Sequence, residues 1–152
     1  LISILGNSII YISLIVTILF YINYLTKIIP STTVSLRLIY FINLIPFSLL
    51  VYAFSISDLT LLNVVENSYI NDPIFYKVTS AWGSHEGSIL LWIFLINLFG
   101  VFFLNKNRTV EIHKNIIFIS SLFILYVLIS SNPFTYVEEN ENILGLGLNP
   151  IL

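Results

Sequence analysis

The chain has 152 residues, 57% hydrophobic and 9% charged, with a formal net charge of −2, whereas a soluble domain carries about 25% charged residues. Six Lys+Arg and eight Asp+Glu cannot clothe a water-facing surface, and the acidic balance leaves no patch able to neutralise a run of phosphates, so nucleic acid is excluded as a partner. With no cysteine, the chain carries no disulfide, thiolate metal site, cysteine nucleophile or c-type haem attachment motif of its own.

The class that remains is an all-α integral membrane protein whose partner is the lipid bilayer. The sequence starts at Leu1 and has no methionine, as expected of a fragment, a processed N-terminus or an unusual start codon. Its many Ile, Asn, Phe, Tyr and Leu residues fit the A+T-biased genome of an organelle.

The first expected span, 1–25, has no charge and is long enough for about 30 Å of hydrocarbon. It lacks the basic n-region of a signal peptide and its apolar run is too long for one. The second, 38–56, contains Asn43 and Pro46. Proline removes a backbone donor and kinks a helix, which membrane helices tolerate when neighbours satisfy the freed carbonyl.

A connection over 58–87 follows, far longer than a helix hairpin needs, and loops of that length are commonly functional or disordered. Its apolar Leu61, Leu62, Val64, Val65, Ile70 and Phe75 suggest a segment folded back on the membrane surface, with a short amphipathic helix around 59–66. A surface cap with no ligand is the alternative.

The most informative stretch is Trp82-Gly83-Ser84-His85-Glu86-Gly87-Ser88, followed by Ile89-Leu90-Leu91-Trp92. Its glycines allow tight turns and close approach of a ligand or helix. Ser88 is the expected N-cap of the third span, and Glu86 suits the positive helix end. Trp82 and Trp92 suit an interfacial aromatic belt. His85 has three readings: haem-iron ligand, proton carrier, or hydrogen-bond donor to a loop carbonyl. The zinc-protease pattern fails because Ile89 stands where a second histidine is needed. No metal site is expected, nor any catalytic residue.

The third and fourth spans, 88–104 and 115–130, are short and must borrow flanking residues; Pro133 stops the fourth, and an outer tail over 131–152 completes a single membrane domain. Lys27 and Arg37 lie between spans one and two, and Lys106, Arg108 and Lys114 between three and four, so five of six basic residues share one side. Basic residues stay on the cytoplasmic or matrix face, which puts both termini and the 58–87 loop on the outer, periplasmic or intermembrane-space side. Asp58, Glu66, Asp72 and Glu86 lie in that loop beside Lys77; Glu138, Glu139 and Glu141 lie in the tail.

His113, in the basic loop, reads as solvated, and the Asn107-Arg108-Thr109 sequon falls on the inner side and reads as chance. Asn7, Asn23, Asn43 and Asn97 lie in or beside spans and are expected to bond other helices. Gly145 and Gly147 are too sparse for a phosphate loop. No ionisable residue lies in mid-span, which argues against a channel or transporter.

Several ordered blocks resemble the N-terminal part of the CcmF family of cytochrome c maturation proteins. They are Asp58-Leu59-Thr60-Leu61-Leu62-Asn63-Val64-Val65-Glu66-Asn67-Ser68, then Tyr76-Lys77-Val78-Thr79-Ser80-Ala81-Trp82-Gly83-Ser84-His85-Glu86-Gly87-Ser88-Ile89-Leu90-Leu91-Trp92. Ser130-Ser131-Asn132-Pro133-Phe134 and Gly147-Leu148-Asn149-Pro150-Ile151-Leu152 continue the resemblance. Leu59 and Asn63 depart from it, standing where the family has aromatic residues. The family's haem-ligating histidines and Trp-rich segment lie beyond the last residue, so none is carried over.

The resemblance implies a membrane subunit of a haem lyase, which joins ferrous haem vinyl groups to apocytochrome c thiols on the outer face and is not catalytic alone. It implies haem held mainly by a partner chain. The implied partners are the remaining lyase fragments with the Trp-rich segment, apocytochrome c, and haem-delivery and thiol-handling maturation proteins. A mitochondrial inner membrane is implied, with a bacterial inner membrane as the alternative. Trp82, Gly83, His85, Glu86, Gly87 and Trp92 are the candidates for facing haem or a partner. A structural subunit of a respiratory or other mitochondrial complex is the competing function.

Overall fold

The computed structural model of the chain describes residues 1–26, 33–104, 110–138 and 144–147. It is helical: α1 (Ile2–Thr26), α2 (Thr33–Ser55), α3 (Leu62–Asn67), α4 (Ile74–Gly83), α5 (His85–Phe103) and α6 (Val110–Ser130). Four of these, α1, α2, α5 and α6, are long and apolar enough to cross a bilayer. The two short expected spans do borrow flanking residues: α5 begins three residues earlier than expected and α6 begins five earlier.

The four long helices form a ring in which α1 packs on α2, α2 on α5, α5 on α6 and α6 back on α1. The inward faces of α1 and α5 step by three or four residues, but those faces are not the most apolar ones. On α1 the buried residues are Ser3, Gly6, Ile10, Ser13 and Thr17, while Ile4, Ile15 and Leu19 lie outside. On α5 they are Gly87, Leu90, Ile93, Asn97 and Gly100. This is the pattern expected where lipid is as apolar as leucine: small residues bring backbones together and amides bond across helices.

The amides meet near the middle of the ring. Asn43 of α2 donates to the Asn97 side-chain oxygen of α5 (3.0 Å) and to the Thr17 hydroxyl of α1 (3.3 Å). Asn97 donates in turn to the Ile93 carbonyl (2.7 Å) and to the Ser120 hydroxyl of α6 (3.0 Å). Each of the four long helices contributes one member. Interhelical bonds of this kind contribute roughly 0.6–2 kcal/mol each.

One end of the ring carries a cap. The start of α1, the end of α2, the start of α5 and the end of α6 all lie there. Helix α4 packs on α2 and α5, and α3 packs on α4. The expected helix over 59–66 forms as α3, displaced toward the C-terminus, because 60–62 instead pair with the chain that follows α6. The Leu62 N–H donates to the Thr135 carbonyl (3.0 Å) and the Val137 N–H to the Thr60 carbonyl (2.9 Å), around an antiparallel Leu61–Tyr136 bridge. Residues 144–147 close the cap further: the Leu146 N–H reaches the Val65 carbonyl (2.8 Å) and the Ile70 N–H reaches Leu144 (3.0 Å). Gly145 has φ +85°, and a Cβ there would lie 2.0 Å from the Ser68 carbonyl oxygen.

Outside the described residues fall Lys27, Lys106 and Arg108 of the charge argument, the 107–109 sequon, Glu139, Glu141 and the 148–152 block.

Candidate functional site

The Trp-Gly-Ser-His-Glu-Gly-Ser stretch is a corner between two helices. Trp82 and Gly83 end α4, and Ser84 alone separates it from α5. Ser84 is extended (φ −76°, ψ 154°), closes α4 through its N–H to the Ser80 carbonyl, and caps α5 by accepting the Gly87 N–H at 3.0 Å. The expectation that Ser88 caps the helix is therefore corrected. Ser88 lies within the first turns, its hydroxyl donating to the Ser84 carbonyl (2.6 Å) and lying 3.1 Å from that of Trp82. The three residues His85, Glu86 and Gly87 thus open the helix instead of preceding it, with Glu86 in the first turn where the N–H groups favour an anion.

Gly87 is what allows the corner. A Cβ at this position would lie 1.7 Å from the Ala81 carbonyl oxygen, so α4 and α5 touch backbone to backbone. Glycine serves here by its missing side chain.

His85 is exposed, and its Nδ1 lies 3.0 Å from the buried Ser131 hydroxyl, just beyond α6. Its ring meets Tyr126 of α6 edge-on, with centroids 6.4 Å apart. Of its three sequence readings, hydrogen bonding is what the geometry displays, to a hydroxyl and not to a loop carbonyl. Below it, Ile89, Leu122, Phe123 and Tyr126 line a groove of about 390 Å³ between α5 and α6. Trp82 (41% exposed) stands at the cap, and Trp92 (59% exposed) lies on α5 about 10 Å further along, at about 1.5 Å per residue. The structure thus brings Trp82, Gly83, Glu86 and Gly87 together at the corner with His85, and sets Trp92 apart from them.

The Ser131-Asn132-Pro133-Phe134 block is the partner that sequence reasoning did not assign to this corner. Phe134 is fully buried, and a Cβ on Gly6 would meet its ring at 2.3 Å. Its carbonyl accepts from the Ser3 hydroxyl (2.7 Å) and the Asn7 amide (3.1 Å), while the Asn132 amide donates to Asn7 Oδ1 (2.7 Å). Asn7 therefore binds the turn after α6, not a neighbouring helix. A Ser-Asn-Pro-Phe run whose asparagine accepts the N–H two residues on is the available signal: Asn132 Oδ1 takes the Phe134 N–H at 3.0 Å.

His113 also departs from expectation. It is 7% exposed, with Nδ1 2.7 Å from the Tyr40 hydroxyl, because α6 starts early enough to turn it inward. Tyr40 in turn packs on Gly100, where a Cβ would lie 2.7 Å from the ring. Among the described residues no group of three or more His, Cys, Asp or Glu is placed to hold a metal ion.

No family model matches the chain. The chain is 39% identical over 114 residues to the cytochrome c-type biogenesis protein CcmF of Haemophilus influenzae, covering 71% of this chain and 18% of that protein. It is 37% identical over 112 residues to CcmF of Escherichia coli K12, covering 70% and 17% respectively. A solved structure of the cytochrome c heme lyase CcmF superposes with a TM-score of 0.77 at 21% identity, over 91% of this chain and 26% of that one. The chain therefore spans less than a fifth of the length of these curated relatives.

Proposed function

We propose, since the chain belongs to the CcmF family of cytochrome c-type biogenesis proteins, that it is a membrane subunit of a cytochrome c haem lyase. The similarity to CcmF relatives at 37–39% identity is the observation that carries this reading. The described residues supply the four-helix unit and its cap.

Haem is the substrate here. In ligation each apocytochrome thiol S–H adds across a haem vinyl double bond, forming a thioether with no leaving group. This chain has no thiol to offer, so its part is to position. The cap and the Trp82-Gly83-Ser84-His85-Glu86-Gly87 corner face the partner that holds haem, on the outer side of the membrane. In the sequence, five of the six basic residues lie between the expected first and second or third and fourth spans, away from the cap segments, which supports that orientation. The membrane is a mitochondrial inner membrane, in keeping with the organelle-like composition of the sequence. The partners are apocytochrome c and other maturation components.

The test is depletion of the chain followed by haem staining of c-type cytochromes. Loss of covalently bound haem, with apocytochrome still made and exported, is expected. Normal holocytochrome c would exclude the role.

A further inference from the structure

Resting on the haem-lyase reading above, we propose that the α5/α6 groove and His85 at its head form a docking site for an iron porphyrin, with His85 Nε2 as the iron ligand. The haem would then be gripped partly by this chain, not by its partner alone.

Three features of the geometry carry this. First, His85 is exposed yet held: Ser131, buried beside it, fixes Nδ1 at 3.0 Å. In the tautomer that carries its proton on Nδ1, the ring donates to Ser131 and leaves the Nε2 lone pair free. Metal-binding histidines are oriented in this way, one nitrogen bonded to the protein and the other turned to the metal. Second, the surface beneath it matches a flat apolar ring. Ile89 lies one turn further along α5, and Leu122, Phe123 and Tyr126 complete a groove of about 390 Å³, within the size range of small-molecule sites. Third, the two are contiguous, since Tyr126 both lines the groove and meets the His85 ring at 6.4 Å. An apolar wall with a single nitrogen base at one end suits a metalloporphyrin. A lipid chain would make no use of the nitrogen.

The test uses the full chain in lipid nanodiscs titrated with haemin, read by the Soret band and by electron paramagnetic resonance of the iron. Saturable binding at one haemin per chain with a histidine-ligated signature is expected. His85→Ala should abolish the signature, and its side chain is exposed enough that folding is not at stake. Leu122→Trp, which fills the groove and leaves His85 in place, should abolish saturable binding. His113→Gln, at the far end of the bundle, should change neither.

Absence of binding by the unaltered chain, a signature that survives His85→Ala, or unimpaired binding by Leu122→Trp would each overturn the proposal. Its failure is separable from failure of the haem-lyase role. If depletion abolishes holocytochrome c while haemin does not bind, only the groove assignment falls. If depletion leaves holocytochrome c intact, the role itself falls.

Discussion

Asn43 and Asn97 meet side chain to side chain at 3.0 Å between α2 and α5, inside the membrane-spanning ring. Asn43 extends the contact to Thr17 on α1, and Asn97 extends it to Ser120 on α6. The site lies roughly 18 Å from the capped end at about 1.5 Å per residue, where an unpaired amide costs free energy and a paired one fixes helix register. Asn97→Ala should therefore lower stability by about 1–3 kcal/mol, since it removes bonds to two helices at once. Thermal unfolding in detergent reads the loss. The Asn43→Ala/Asn97→Ala pair should cost less than the sum of the single changes, because the two share one bond; strict additivity would argue against a shared network.

Two glycines used differently yield a second prediction, Gly87 at the α4–α5 corner and Gly147 in the segment that closes the cap. Gly87→Ala places a methyl 1.7 Å from the backbone oxygen of Ala81, which cannot rotate away. It should cost roughly 1–3 kcal/mol by overpacking and separate α4 from α5. Gly147 has φ +86° but its nearest obstacle is 4.0 Å away, so Gly147→Ala meets only left-handed backbone strain, about 1–2 kcal/mol. A Gly87→Ala chain as stable as the parent would contradict the contact.

How much of this was legible beforehand differs by element. The four crossings follow from hydropathy alone, since long uncharged runs have no other solution. The helix ends did not, because His85, Glu86 and Gly87 look like polar loop, yet Ser84 caps α5 and admits them to its first turn. The inward faces were hidden for a different reason. On α1 the buried Ser3, Gly6, Ser13 and Thr17 are less apolar than the exposed Ile4, Ile15 and Leu19, so searching for an apolar stripe points to lipid. Asn43 and Asn97 were found because amides are expensive in hydrocarbon. His113 was misjudged from its basic neighbours, although its spacing to the buried Ile117, Ser120, Ile124 and Val127 continues the inward stripe.

Ser131 positions His85 and has no direct reach to a ligand in the groove. Ser131→Ala should weaken haemin binding about 10-fold, as loss of a ligand-orienting partner does, while leaving thermal stability nearly unchanged. Ser131→Thr keeps a hydroxyl and should restore binding. Equal binding by the serine, alanine and threonine forms would mean that the hydrogen bond has no orienting role.

Orientation can be read directly because the chain has no cysteine. A single cysteine at exposed Asn71 in the cap should react with a membrane-impermeant maleimide from the outer side. One at Asn107, in the basic connection between α5 and α6, should react only once the membrane is permeabilised. The reverse pattern would place the cap on the inner face, away from the proposed site of ligation.

The measurement that bears most directly on the haem-lyase assignment is purification of the chain from its native membrane in mild detergent, with mass spectrometry of what accompanies it. The account predicts a stoichiometric partner that carries the Trp-rich, histidine-flanked haem-handling segment of the same lyase. Respiratory subunits in its place, with no such partner, would contradict it and leave the four-helix unit as a structural component of another assembly.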